Sequence, residues 1–154
     1  MSQNATVKVH ELGHVVLYVS NLEASRHFYR DVLGFSEISS TGGGAALFGS
    51  GRTHHELLLI EVGADAQAIP QGRRLGMYHV GLKIGTSDDE LREALVELRA
   101  AGVPVMGMSD HTVTHSLYLA DPDGNEIELY IDVQPEIWRD DPTAVAAPTR
   151  PLRL

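Results

Sequence analysis

The sequence predicts an α+β fold of two βαβββ modules paired into a cupped mixed sheet. Three observations predict it. The stretch His14-Val-Val-Leu-Tyr-Val recurs as His79-Val-Gly-Leu-Lys-Ile, so one unit is written twice in 154 residues. Each copy runs on into a helical pattern that stops at a glycine, Gly34 or Gly102. Short β-rich runs divided by turn residues follow each glycine.

Residues 13–19 alternate and are rich in β-branched and aromatic side chains, the pattern of a half-buried strand. Asn21 offers a side-chain oxygen to the free amides of a helix start, and Leu22, Phe28, Tyr29, Val32 and Leu33 supply a rough apolar stripe before Gly34. Residues 35–38, 45–48 and 56–62 read as three strands, separated by the glycine-rich 41–44 and by the Gly49-Ser-Gly turn. Module one thus spans about residues 10–63, and a connector spans 64–76. Module two, about 77–132, repeats the order. Its strand is 78–84, its helix is capped by Ser87 or Asp88, and Leu91, Ala94, Leu95, Leu98 and Ala101 recur at helical spacing. Residues 103–106, 115–119 and 126–131 are its further strands, the last two joined by an Asp121-Pro-Asp-Gly turn. The arm 133–154 is proline-rich and weakly periodic, so it reads as a covering arm or a loose end of a single 1–154 domain.

Hydrophobic residues make up 43% of the chain and charged residues 21%, a soluble balance too apolar for disorder. No apolar run approaches the roughly 18 residues of a membrane span. The polar start, residues 1–6, lacks a signal peptide's apolar core, so the cytoplasm is the expected compartment and no membrane partner is expected. The absence of cysteine rules out disulfides and thiolate sites, which leaves imidazole and carboxylate to hold any metal. The net charge of -9, with its acids dispersed, argues against nucleic acid as a partner.

If the two opening strands face each other across the cup, His14 and His79 converge. Glu128 is the expected third ligand from the same cup. Glu126 shares its face by alternation but hugs the turn and is expected to be solvated, whereas Glu128 is flanked by core-facing Ile127 and Leu129. Two histidines and a carboxylate leave about three sites open on an octahedral metal, the arrangement used by non-haem Fe(II). A single strand-opening histidine is more often a structural residue; matched placement in two modules and a nearby carboxylate favour the metal. His54 and His55 open a strand, so at most one points inwards, and His55 is the candidate for touching substrate. His115 reads as a barrel-wall residue, and His10 and His27 as surface residues. Trp138 anchors the arm on the body or on a partner subunit, or lines a pocket as a second substrate-binding candidate. Arg73 and Arg74 are a solvated loop pair or a contact for an anionic substrate group.

The His14 strand, followed by Asn21-Leu-Glu-Ala-Ser-Arg-His-Phe-Tyr-Arg-Asp-Val-Leu-Gly-Phe, resembles the first module of the vicinal oxygen chelate superfamily. Asp121-Pro-Asp-Gly-Asn-Glu-Ile-Glu-Leu resembles its last hairpin, and the likeness extends to about Asp141. It implies the paired-module, glyoxalase-like fold and places His14, His79 and Glu128 on the metal-ligand positions. Members include glyoxalases, epimerases, fosfomycin-resistance transferases, drug-sequestering proteins and extradiol dioxygenases, so the fold alone does not choose a reaction.

The run His111-Thr-Val-Thr-His-Ser-Leu-Tyr118, continuing through the Asp-Pro-Asp-Gly turn to Glu128, is similar to the signature of type I extradiol, catechol 2,3-dioxygenase-like enzymes. That resemblance implies His111 and Tyr118 as catalytic residues beside a bound catechol, with Fe(II), or else Mn(II), as the metal. It further implies a small aromatic diol and O2 as substrates and a homodimer or higher homo-oligomer. Glyoxalase I would add a carboxylate in the last strand of module one, where this chain offers Leu57 or Leu58; a one-residue shift would bring in Glu56. Glu56 as a fourth ligand, with Ni, Zn or Co, would imply glyoxalase- or epimerase-like isomerisation through an enediolate. A small-molecule binding or resistance protein is the non-enzyme alternative, although such proteins usually lose the ligand trio. The chain departs from the extradiol pattern at Ser109, in having two modules where many extradiol enzymes have four, and in lacking any histidine over 63–78 for the O2-side acid–base role.

Overall fold

In the computed structural model, which describes residues 6, 7 and 9–154, Asn21 lies in extended backbone and its side chain accepts from the Ala24 amide at 2.8 Å. Residues 1–5 of the polar start lie outside the described residues. Glu61 accepts from the Leu22 amide at 2.7 Å, so a second free donor of the helix start is satisfied from across the sheet. The helix α1 (Leu22–Arg26) continues as a π-helical stretch (His27–Val32) and ends near Gly34, whose φ of +79° suits a residue without a Cβ.

Four strands accompany it: β1 (Val15–Val19), β2 (Ser36–Thr41), β3 (Ala45–Gly49) and β4 (Leu57–Glu61). Their order is β1-β4-β3-β2, with β1 parallel to β4 and the other pairs antiparallel. Leu17, Val19, Ala46, Phe48, Leu57 and Leu59 are buried with Leu22, Phe28 and Tyr29 from the helical segment. Val16 and Tyr18, on the alternate face of β1, are 46% and 71% exposed. The strand β4 begins one residue later than the sequence suggested, which leaves His54 and His55 in the preceding loop. Strand alternation therefore does not separate their side chains.

These elements belong to one of two compact units, Met1–Ala66; the other is Gln67–Leu154. In the second unit Ser87 caps α2 (Asp88–Ala100) with a reciprocal box: Ser87 accepts from the Glu90 amide, and the Glu90 carboxylate accepts from the Thr86 and Ser87 amides at 2.9 and 3.0 Å. Gly85 makes room for this return. A Cβ there would lie 2.5 Å from the Glu90 carboxyl group. The strands are β5 (His79–Gly85), β6 (Gly107–Asp110), β7 (Thr114–Ala120), β8 (Glu126–Asp132) and β9 (Arg150–Pro151), in the order β5-β8-β7-β6-β9. Leu91, Leu95 and Leu98 of α2 are buried, as are Leu117, Leu119, Ile127, Leu129 and Ile131 of β7 and β8.

Two expectations change in this unit. The strand placed at 103–106 falls instead at Gly107–Asp110. The helix exit explains the shift: Val103 donates back to the Leu98 carbonyl after Gly102, Pro104 has no amide proton, and Met106 makes the first bond across to Tyr118 O at 2.7 Å. The arm, read as a cover or a loose end, forms α3 (Pro135–Asp140), a 3-10 turn (Pro142–Ala146) and β9, which adds to the edge of β6. No helix among the described residues is long and apolar enough to cross a membrane.

Candidate functional site

Parallel pairing of β5 with β8 sets His79 level with Glu126, and Gly81 level with Glu128. The His79 ring lies between the two carboxylates. Its Nε2 is 3.1 Å from Glu128 Oε2, and its Nδ1 is 3.3 Å from Glu126 Oε1. Glu126 was expected to be solvated. Its Oε1 is instead closed off from solvent, because the neighbouring strand lays the imidazole over it.

The antiparallel β7–β8 ladder puts Tyr118 directly opposite Glu128, and the Tyr118 hydroxyl donates to Glu128 Oε1 at 2.8 Å. His111, in the β6–β7 turn, brings Nε2 to 2.7 Å from the same hydroxyl. Since Tyr118 donates to the carboxylate, a neutral His111 donates from Nε2, and its Nδ1 accepts from Thr149 Oγ1 at 3.1 Å. Burial first, and the hydrogen bond to Glu128 second, push the Tyr118 hydroxyl up to about 12. His79, Glu128, Tyr118 and His111 thus form one connected line within one unit.

In the other unit His14 immediately precedes β1, and its ring centroid lies 4.4 Å from that of His55 and 6.1 Å from that of His54. The Nδ1 atoms of His54 and His55 are 2.6 Å apart, so one carries the proton between them. Both loop histidines reach the His14 neighbourhood, where the sequence allowed only one. Burial, and then repulsion from His14 and His54, lower the His55 pKa from its ordinary value. Arg52 supports this corner, donating to the Leu12 and Gly13 carbonyls at 3.1 Å each.

The strand registers settle how far the repeat is kept. Val15 pairs with Leu57, and Val80, its counterpart in the repeat, pairs with Ile127; Leu58 is therefore the counterpart of Glu128, and Glu56 of Glu126. Glu56 is committed elsewhere. Its carboxylate accepts from the Ser50 amide, from Ser50 Oγ at 2.7 Å and from Arg52 Nε at 3.0 Å, contacts that lower its pKa against the opposing effect of burial.

His115 points to the helix side, its Nδ1 2.6 Å from Asp88 Oδ1. Trp138 lies half-buried on α3 with the Arg139 guanidinium 5.3 Å from its ring. His10 and His27 are exposed, the latter paired with Asp31, and Arg73 and Arg74 are exposed in the connector. Among the described residues no three or more His, Asp or Glu side chains are gathered as a metal cage. Sequence reading missed Glu126, Thr149 and Arg52 as supports. Alternation already placed Glu126 on the Glu128 face, whereas the contacts of Thr149 and Arg52 depend on long-range pairing.

Two β-sheet units of this kind define a module of the glyoxalase type. Residues 11–129 match the Glyoxalase/Bleomycin resistance protein/Dioxygenase superfamily, and the chain belongs to that superfamily. It is 35% identical over 136 residues to a catechol-2,3-dioxygenase of Bacillus subtilis (strain 168), covering 86% of this chain and 46% of that protein. It is 34% identical over 123 residues to biphenyl-2,3-diol 1,2-dioxygenase 2 of Rhodococcus globerulus, covering 79% and 63%. The chain therefore spans about half to just under two thirds of the length of these relatives. The crystal structure of lactoylglutathione lyase from Agrobacterium tumefaciens superposes with a TM-score of 0.60 at 26% identity, covering 85% of this chain and 98% of that one.

Proposed function

We propose that the chain carries out metal-dependent extradiol cleavage of a catechol-type diol with O2. The observation that carries this reading is the line from Glu128 through Tyr118 to His111: a carboxylate with one oxygen turned to His79, a protonated phenol on its other oxygen, and an imidazole behind the phenol. His14, His79 and Glu128 are the proposed ligands. Two of these three donors support the reading. His79 Nε2 and Glu128 Oε2 face each other at 3.1 Å, and imidazole with carboxylate is a set that Fe(II) or Mn(II) accepts. When bound, the metal supplies the electron transfer that lets a diol react with O2.

The chain's own groups bind and orient. A catechol oxygen beside Glu128 takes over the hydrogen bond that the Tyr118 hydroxyl, held protonated by burial, gives to Glu128 Oε1 in the free protein. His111 holds that hydroxyl from behind and stabilises negative charge on the diol. His55, beside His14, is the proposed substrate contact from the first module, and Trp138 the one from the arm. The names of the two dioxygenase relatives support the substrate class. We also propose a homodimer or higher homo-oligomer. Sedimentation of the full chain as a monomer at all concentrations would remove it.

The likeness to lactoylglutathione lyase favours a second reading, isomerisation through an enediolate with Ni, Zn or Co. Leu58 at the Glu128-equivalent position and the commitment of Glu56 to Ser50 and Arg52 weigh against it. The deciding experiment is anaerobic reconstitution with Fe(II) or Mn(II), then a catechol panel and air, followed by O2 uptake and the yellow ring-opened product. Isomerisation of a hemithioacetal with no O2 uptake on any catechol would replace the first reading with the second.

A further inference from the structure

We infer that Glu126 is a positioning residue that decides which nitrogen of His79 is free to bind a metal; this rests on the reading of His79 as a ligand. A neutral imidazole carries one N–H and one lone pair. Here two carboxylates compete for that single proton, Glu128 at Nε2 and Glu126 at Nδ1. If Glu128 wins, Nε2 is an N–H and cannot be a donor. If Glu126 wins, the lone pair sits on Nε2 beside Glu128, where a carboxylate and an imidazole can share one cation.

The buried atoms favour the second arrangement. His79 Nδ1 and Glu126 Oε1 are both cut off from solvent, and neither has a hydrogen-bond partner of good geometry, although they lie only 3.3 Å apart. A buried donor and a buried acceptor left unpaired are costly, and a small rotation of either side chain joins them. Tyr118 already occupies Glu128 Oε1 at 2.8 Å, which weakens the pull of Glu128 on the ring.

The repeat supports the same logic. In module one the counterpart of Glu128 is Leu58, so no carboxylate there competes for a proton of His14. The counterpart of Glu126 is Glu56, and that side chain has turned away to Ser50 and Arg52. The carboxylate opposed to Nδ1 is kept in the module that also has one opposed to Nε2.

The test uses the full chain with Glu126→Leu, Glu126→Gln and His79→Ala. Zn(II) and Mn(II) affinities are measured by chelator competition, and the His79 tautomer is read in the metal-free protein by long-range 1H–15N correlation at mildly alkaline pH. The expected result is an Nδ1–H tautomer in the parent, a shift to Nε2–H in Glu126→Leu with metal binding weakened about 10–100-fold, and recovery of most of both in Glu126→Gln, whose amide oxygen still accepts. If Glu126→Leu keeps the parent's affinity and tautomer while His79→Ala loses the metal, the role of Glu126 is overturned and the ligand assignment stands. Undiminished metal binding by His79→Ala would overturn both.

Discussion

Tyr118 stands directly across the β7–β8 ladder from Glu128 and donates its hydroxyl to Oε1 at 2.8 Å, leaving Oε2 to His79. One carboxylate thereby joins a candidate ligand to a candidate proton donor. Replacing Tyr118 by phenylalanine should leave the bound metal stoichiometry unchanged and lower kcat on a catechol on the order of 10²-fold. Metal analysis beside steady-state kinetics checks the split. A parallel loss of metal would place Tyr118 among the groups that build the metal site.

The same hydrogen bond makes an alkaline prediction for the metal-free protein. Burial and Glu128 raise the Tyr118 hydroxyl from an ordinary value near 10 to about 12, so the folded state favours the protonated form. This contribution is fully present below pH 10 and is lost as pH rises towards about 12. Urea midpoints measured against pH should fall over that interval in the parent, and fall less steeply in Tyr118→Phe.

Much of this arrangement is local enough to read in the sequence. Asn21 and Ser87 announce their helices because an N-cap is satisfied within three residues, and Gly34 and Gly102 announce the ends. Period-2 alternation placed Glu128 among Ile127 and Leu129, which are 1% and 4% exposed. What failed depended on partners distant in sequence. Glu126 looked solvated because nothing near it in the chain announces His79 across the β5–β8 pair. The arm stayed open between a cover and a loose end because β9 has no pattern of its own and exists only by pairing with β6. His54 and His55 were separated by a strand alternation that begins three and two residues later, at Leu57.

The arm should prove functional through Thr149. Its hydroxyl donates to His111 Nδ1 at 3.1 Å, while β9 fixes it against β6. Thr149→Val keeps shape and removes that donor, so His111 loses its preference for an Nε2–H turned to Tyr118. A several-fold fall in kcat with unchanged metal content is expected, with Thr149→Ser restoring it. Equal activity in all three proteins would show that His111 is held without the arm.

Gly85 gives a prediction independent of catalysis. A Cβ there would meet the Glu90 carboxyl group at 2.5 Å and drive it off the Thr86 and Ser87 amides. Gly85→Ala should lower stability by no more than about 1 kcal/mol, the scale of a lost helix-cap contact, because the displaced carboxyl is the end of a flexible side chain; urea unfolding measures it. Bonds from Thr86 and Ser87 hold the Glu90 carboxyl below its usual range, a contribution present at neutral pH and lost as pH falls through the folded value. In Gly85→Ala that acid-side loss should be smaller.

The missing carboxylate of module one can be supplied. Leu58 is the counterpart of Glu128, and β1–β4 pairing sets it level with Val16, as Glu128 is level with Gly81. Leu58→Glu therefore adds a carboxylate near His14 in the geometry that Glu128 has towards His79. If three protein ligands leave positions for diol and O2, a fourth fills one of them. The variant should hold Zn(II) or Ni(II) more tightly in chelator competition and lose at least about tenfold in catechol-dependent O2 uptake, since a chelated diol and O2 together need all three open positions. Tighter metal binding with full dioxygenase activity would mean that the new carboxylate binds where neither substrate does. Unchanged metal affinity would mean that the metal lies beyond the reach of β4, and His14 would then fall as a ligand as well.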